Sequence, residues 1–421
     1  MKNVPFKRFL VNRNGGMWGS EPGSDEFDVL CIRVADFDYE NLKTKASAST
    51  VRSITEKQLQ KNQLHDGDIL LEKSGGGEKT PVGRAVYYSG NDDAICSNFI
   101  ERLTVNQQTL NPKFACYILS AAYSQRKNLD CIKQTTGIQN LSVDDYLSSV
   151  TIPLFDIETQ KRITKWLDKQ LSKVAQVITA KQAQLQKLST YRQSLITRAV
   201  TKGLDPNVDC MKNVPFKRFI ISRNGGMWGS EPGSAEVDAL CIRVADFDYA
   251  NLKTRPTAST MRSISEKQLQ NNQLRDGDIL LEKSGGGEKT PVGRAVYYSG
   301  CEGAICSNFI ERLTINRQML NPKFACYVLS SAYSQRKNFD CIKQTTGIQN
   351  LSVDDYLSSV TVPLFDLETQ QRITNWLDKQ LSKVAQVITA NQAQLMKLTA
   401  YRQSLISYAV TGQLAIEEAS A

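Results

Sequence analysis

DIETQKRITKWLDKQLSKVAQVITAKQAQLQKLSTYRQSLITRAVT (156–201) contains no glycine and no proline. Leu167, Leu171, Val174, Ile178, Leu185, Leu188, Leu195 and Ala199 recur in it at mostly three- and four-residue steps. Residues at those steps share one face of a helix, so the pattern predicts a long amphipathic rod with coiled-coil spacing. Asp156 is placed to accept hydrogen bonds from the first turn and so to cap the rod. At 1.5 Å of rise per residue, about 45 residues make a rod of ~65 Å. Lys181 and Arg192 interrupt the apolar seam, which argues against a strict two-stranded zipper.

A lone helix cannot bury such a stripe, because most helical stability in proteins comes from packing an apolar face. The chain supplies a second copy. Residues 1–204 recur at 211–414 with an offset of 210, identical at roughly five positions in six. The seam returns as Leu377, Leu381, Val384, Ile388, Leu395, Leu398, Leu405 and Ala409. A period this long is a domain duplication, not a solenoid. The order is globe, rod, globe, rod. Rods pairing antiparallel would hold the globes at opposite ends, about a pseudo-two-fold axis. The expected bounds are a globe over 1–150, a rod over 151–204, a linker at 205–210, a globe over 211–360, a rod over 361–414 and a tail at 415–421.

Each globe is mixed in pattern. CIRVADFDY (31–39) and GDILLEKSGGGEKTPVGRAVYYSG (67–90) read as strands punctuated by glycine, while EKQLQKNQL (56–64) and NPKFACYILSAAYSQRKNL (111–129) read as helices. The fold class is therefore α+β: two α/β globes alternating with two long helices.

Composition narrows the function. Net charge is +9, from 52 Lys and Arg against 43 Asp and Glu, compatible with a nucleic-acid partner or with a basic globular protein that has none. No apolar run reaches the ~20 residues of a membrane helix, and MKNVPFKRFLVNRNGG lacks the apolar core of a signal peptide, so a cytoplasmic protein without a membrane partner is expected. The ten cysteines include no Cys-x-x-Cys, and the one histidine, His65, is replaced by Arg275 in the second copy. Neither a zinc site nor a catalytic histidine is expected. The cysteines sit in apolar surroundings such as KFACYIL, as buried free thiols do.

Several stretches invite a chemical reading. NPKF (111–114, 321–324) resembles the NPPF motif of amino-methyltransferases, but Lys113 and Lys323 replace its second proline and no glycine-rich cofactor loop accompanies it. A helix capped by Asn111 explains it. SGGGEKT (74–80) lacks the residue order of a phosphate-binding loop. It is either a plain connector between strands or a loop whose bare backbone approaches DNA closely, flanked by Lys73, Lys79 and Arg84. QTTGIQNLSVDDY (134–146, 344–356) offers amides and hydroxyls that can pair with base edges, or that cap local structure. Asp144 and Asp145 suit a helix start better than a metal. Trp18 suits either a groove contact or a buried loop anchor.

Taken together, these segments resemble the specificity (S) subunit of Type I restriction-modification systems over essentially the whole chain. The strongest part is TTGIQNLSVDDYLSSVTIPLFDIETQKRITKWLD (135–168) and its copy at 345–378. It carries a glycine with a following Asn-Leu, an Ile-Pro-Leu step and a Gln-(Lys/Arg)-Arg-Ile helix start. GDIL, SGGG…PVGRAVYY and YRQSLITRAVTKGLD (191–205) are similarly typical. The resemblance implies two target recognition domains reading the halves of a bipartite double-stranded DNA sequence. It implies rods that form a conserved antiparallel coiled-coil spacer and dock two modification (M) subunits. S-adenosylmethionine would act in those subunits, and ATP and Mg in restriction (R) subunits, with no cofactor, metal or catalytic residue in this chain. The two heads of such subunits usually differ. Here they are nearly the same, so a palindromic interrupted target is expected.

The residues expected to touch DNA are Lys73, Lys79, Arg84, Gln134, Thr135, Gln139 and Asn140. Their partners in the second copy are Lys283, Lys289, Arg294, Gln344, Thr345, Gln349 and Asn350. Two other function classes remain. A self-contained DNA methyltransferase or nuclease would need an S-adenosylmethionine or metal site that is not visible in the sequence. A non-catalytic scaffold would use the paired helices alone.

Overall fold

The computed structural model describes residues 3–90, 93–134, 137–205, 212–300, 302–344 and 347–413. It divides into two compact units, one of residues 1–181 with 393–421, the other of residues 182–392. Their borders cut across the sequence repeats, each falling in the middle of a long helix.

In the first unit the head is built on a six-stranded sheet. Its order is Leu10–Gly15, Ile100–Val105, Ile69–Glu72, Ala85–Tyr87, Lys43–Thr44 and Phe37–Asp38. The strand Ile69–Glu72 is buried throughout. Alternate side chains of a strand point to opposite faces. Ile69 and Leu71 accordingly enter the main core, and Leu70 enters a second core with Ile32, Phe37 and Val86. A three-stranded sheet of Ala94–Cys96, Phe27–Ile32 and Val51–Ile54 lies beyond that second core. The helix Pro112–Ser124 packs Phe114, Ala115 and Cys116 into the main core. It starts where Asn111 Oδ1 accepts from the Phe114 N–H at 2.9 Å, so NPKF is a helix start.

The first long helix spans Ile157–Lys202. Asp156 caps it, accepting from the Thr159 N–H at 2.7 Å and from its hydroxyl at 3.0 Å. Gly203, at φ +72°, ends it in a left-handed conformation that glycine adopts without penalty. Its first turn is clamped to the head by Gln160, which is buried. Gln160 Oε1 accepts from the Asn111 N–H at 2.8 Å, and Nε2 donates to the Thr109 and Phe155 carbonyls at 3.0 Å. The strand Thr151–Pro153, just before this helix, pairs antiparallel with Asn3–Pro5, closing the head where the rod leaves it.

The main core of the first unit takes Ile163, Leu167 and Leu171 from the start of the first long helix. It also takes Leu405, Ile406, Ala409 and Val410 from the end of the second long helix, Leu367–Val410. The second unit repeats the head element by element. Its core takes Ile373, Leu377 and Leu381 together with Ile196, Ala199 and Val200. Each head thus rests on the beginning of its own rod and the end of the other. Both long helices and the α+β class of the heads are those the sequence predicts. Among the described residues no helix is long and apolar enough to cross a membrane.

Candidate nucleic-acid interface

The glycine-rich loop and the polar join, 66 residues apart in sequence, form one small sheet. Ser74–Gly75 pairs antiparallel with Gln139–Leu141, which pairs antiparallel with Ile132–Gln134. Ser74 Oγ donates to Asn140 Oδ1 at 2.7 Å. Ser284 and Asn350 do the same at 2.7 Å in the second head. Beyond this sheet the chain makes a tight turn in which Gly77 and Thr80 exchange backbone hydrogen bonds at 3.1 Å. Glu78 and Lys79 form its exposed tip.

Glycine is required at one point of this loop. Gly76 has φ +59°, and a Cβ there would stand 2.8 Å from the Val82 nitrogen. Few side chains tolerate that conformation, and none fits that gap. Gly15 leaves room of another kind, since a Cβ there would lie 2.5 Å from Lys73 Nζ.

The predicted site residues separate into two groups. Lys79, Gln134 and Asn140 are exposed, as are Lys289, Gln344 and Asn350. The others are held in the frame beneath. Gln139 is buried, and its Oε1 accepts from the Val82 N–H at 3.3 Å, tying the far end of the loop to the sheet. Gln349 does this for Val292 at 3.2 Å. Arg84 donates Nε and Nη2 to the buried Glu72 carboxylate at 2.9 and 3.3 Å, and its guanidinium lies 3.8 Å from the Tyr39 ring centroid. Arg294 repeats this with Glu282 and Tyr249. Burial pushes the Glu72 carboxyl up, and the arginine opposes that shift. A buried carboxylate needs such a partner, so Arg84, Arg294, Gln139 and Gln349 support the surface where the sequence suggested they would face DNA. Thr135 and Thr345 lie outside the described residues.

Lys73 ends a chain of alternating charge. Lys7 pairs with Asp144 at 2.6 Å, Asp144 with Arg13 at 3.0 Å, Arg13 with Glu101 at 3.2 Å and Glu101 with Lys73 at 2.9 Å. The second head repeats it from Lys217 to Lys283. Three cations share two carboxylates, leaving one unit of positive charge beside the loop. The Lys7 ammonium holds the exposed Asp144 carboxyl below its ordinary range. Among the described residues no group of three or more His, Cys, Asp or Glu could hold a metal ion.

The structure adds apolar groups that the sequence did not single out. Phe99 and Ile138 are 41 % and 48 % exposed. The Phe99 carbonyl accepts from the N–H groups of Lys73 and Ser74 at 2.9 and 3.2 Å, and its ring lies beside Gly75, 3.9 Å from where a Cβ would stand. Ile138 stands at the turn of the 132–141 hairpin. Isolated apolar residues carry no periodic signal, so only exposure in the fold picks them out. Trp18 is partly exposed and carries the Arg52 guanidinium 4.3 Å from its ring centroid. Lys45, Ala46 and Ser47, which become Arg255, Pro256 and Thr257 in the second copy, and Asp93, which becomes Gly303, line one cavity of about 810 Å³ beside the Lys43–Thr44 strand of the large sheet.

A sequence profile described as the Type I restriction modification DNA specificity domain matches residues 32–187. The repeat carries the same residues, five in six, at 242–397, so the likeness extends over most of both copies. The chain belongs to the Type I specificity subunits. As a specificity subunit it is a DNA-recognition component of a Type I restriction-modification system. Its fold matches a chain from a solved structure concerned with complex assembly and conformational transition of the type I R-M system. That match has 15 % identity, 98 % of each chain covered and a TM-score of 0.71. It also matches the HsdS subunit from Thermoanaerobacter tengcongensis, with 16 % identity, 98 % and 97 % of the two chains covered and a TM-score of 0.51. No curated protein sequence matches this specificity subunit.

Proposed function

We propose that this specificity subunit reads a bipartite, palindromic, interrupted DNA target and docks two modification subunits along its long helices. The observation that carries this reading is the identity of the two candidate surfaces. Residues 66–90 and 276–300 are the same in sequence, as are 130–151 and 340–361, and both pairs fold into the same small sheet. Two heads with one surface read one half-site twice, and inverted repeats of that half-site make a palindrome.

In this reading the exposed Asn140 and Gln134 offer amide groups to base edges. Lys79 and the surplus charge at Lys73 meet phosphates, and Phe99 and Ile138 meet sugar or thymine-methyl surface. Arg84 and Gln139 act from beneath, by holding the loop. The subunit itself performs no chemistry. S-adenosylmethionine belongs to the modification subunits, ATP and Mg to restriction subunits, and the complex works in the cytoplasm. Base-modification mapping of host DNA tests the proposal. A methylated motif of two inverted copies of one half-site is the expected result, and two unrelated half-sites would overturn it.

A further inference from the structure

Arg192 interrupts the apolar seam of the first long helix, and Arg402 interrupts that of the second. Neither belongs to the seam. Arg402 Nη2 donates to the Tyr39 carbonyl at 3.3 Å and to the Glu40 carbonyl. Arg192 Nη2 donates to the Tyr249 and Ala250 carbonyls at 3.3 and 2.6 Å. The bonds go to backbone oxygens, so the change from Glu40 to Ala250 between copies leaves them intact. The segment they grip is tightly folded. Asp38 accepts from the Asn41 side chain at 2.7 Å, and Leu42 is held at φ +51°.

The packing continues from there to the reading loop. The Tyr39 ring lies against the Arg84 guanidinium, which pairs with Glu72. Glu72 is the last residue before Lys73 and the glycine loop, and its carbonyl accepts from the Gly83 N–H at 3.0 Å, closing the loop's far end. An unbroken set of packed, hydrogen-bonded groups therefore runs from the end of a long helix to both ends of the loop.

We infer that Arg402 and Arg192 are positioning residues for DNA reading, each coupling a long helix to the glycine loop of the head in the opposite sequence repeat. Arg402 sets the loop at 73–82, and Arg192 sets the loop at 283–292. The inference rests on the DNA-reading proposal for its purpose, but the coupling exists with or without DNA. A movement of the long helices reaches the reading surface by this route, and an ordered loop presses back on the helices to the same extent, because coupling is reciprocal.

Hydrogen exchange on the full chain without DNA tests it, using Arg402→Met, Arg192→Met and Arg402→Lys. Residues 66–90 and 276–300 are identical, so the two loops are followed in peptides that include His65 or Arg275. In Arg402→Met the 65–90 peptide exchanges about 5-fold faster or more, while the 275–300 peptide and the helix peptide 112–124 stay unchanged. Arg192→Met gives the reverse pattern. Arg402→Lys, which keeps a donor for the two carbonyls, restores slow exchange. Equal acceleration of 65–90 and 112–124 would mean simple loss of packing and would overturn the inference, as would no change in either loop or a change in the loop of the mutated repeat. Should Arg402→Met fold poorly, Tyr39→Leu cuts the route at its middle and is judged by the same three peptides. Failure of the assembled wild type to distinguish its target from random duplex would overturn DNA reading and leave the exchange result standing.

Discussion

Ser74 Oγ donates to Asn140 Oδ1 at 2.7 Å, although 66 residues separate the two in sequence. This bond engages the amide oxygen of Asn140, whose side chain is exposed. It also fixes the rotamer, so the entropy cost of ordering that side chain is met before DNA arrives. Asn140→Ala with Asn350→Ala is expected to weaken binding of the target duplex by about 1–3 kcal/mol per head, with little effect on random duplex. Lys79→Ala with Lys289→Ala is expected to weaken both duplexes alike and to lower the salt slope by about one for each phosphate no longer neutralised. Anisotropy titrations on both duplexes across salt concentrations separate the two. Equal weakening on target and random DNA for the asparagine pair would remove it from base reading.

Gly76 and Gly77 are neighbours with opposite requirements. A Cβ on Gly76 meets the Val82 nitrogen at 2.8 Å under a φ of +59°, while a Cβ on Gly77 meets nothing within 4 Å. Gly76→Ala is expected to cost on the order of 1–3 kcal/mol in strain and displaced backbone. Gly77→Ala is expected to be neutral or slightly stabilising, because it restricts the unfolded chain. Thermal denaturation of the two single variants decides it. A Gly77→Ala chain as unstable as Gly76→Ala would contradict the loop geometry.

The long helices are legible in the sequence because an amphipathic period over 46 residues leaves no competing structure, and because Asp156 and Gly203 mark its ends. The small sheet is not legible. Strands of two and three residues, Ser74–Gly75 and Gln139–Leu141, are too short to carry a period of two. The exposed candidates and those bonded inward look alike in sequence for a related reason. A sequence gives the type of Arg84 and Gln139 but not their partners. Arg84 answers to Glu72, a charge hidden in the apolar run ILLE, and Gln139 answers to a backbone N–H on the far side of the loop. Arg192 looks like a defect in a seam for the same reason, because its carbonyl partners are 57 and 58 residues away.

The buried thiols make stability depend on alkaline pH. Burial pushes Cys96, Cys116, Cys306 and Cys326 from 9.0 up to about 12. A group whose pKa is raised by folding stabilises the folded state fully below its unfolded value, and that contribution is lost as pH rises towards the folded value. The relevant window runs from about 9 to about 12. Denaturant midpoints are expected to hold up to about pH 8 and to fall between about pH 9 and 10.5. The fall should be smaller in Cys96→Ala with Cys306→Ala. The four thiols should also stay unreactive to a thiol reagent at about pH 8 until the chain unfolds, since only the thiolate attacks. Rapid labelling of Cys116 in the folded chain would contradict its burial.

Ile406 and Ile196 occupy matching positions in the two long helices and are 1 % and 0 % exposed. Ile406 belongs to the core of the head in the first repeat, and Ile196 to the core of the head in the second. Truncating either to alanine removes buried methylenes and leaves a cavity, at a cost of about 2–5 kcal/mol. The destabilisation should appear in the repeat that does not contain the substitution. Ile406→Ala is expected to speed hydrogen exchange in the helix Pro112–Ser124 and to spare Pro322–Ser334, and Ile196→Ala to do the opposite. The two helices differ at two positions, Ile118 against Val328 and Ala121 against Ser331, so their peptides have distinct masses. If each substitution instead loosened the head of its own repeat, the heads would be completed by their own helices, and the two units would follow the sequence repeats rather than cross them.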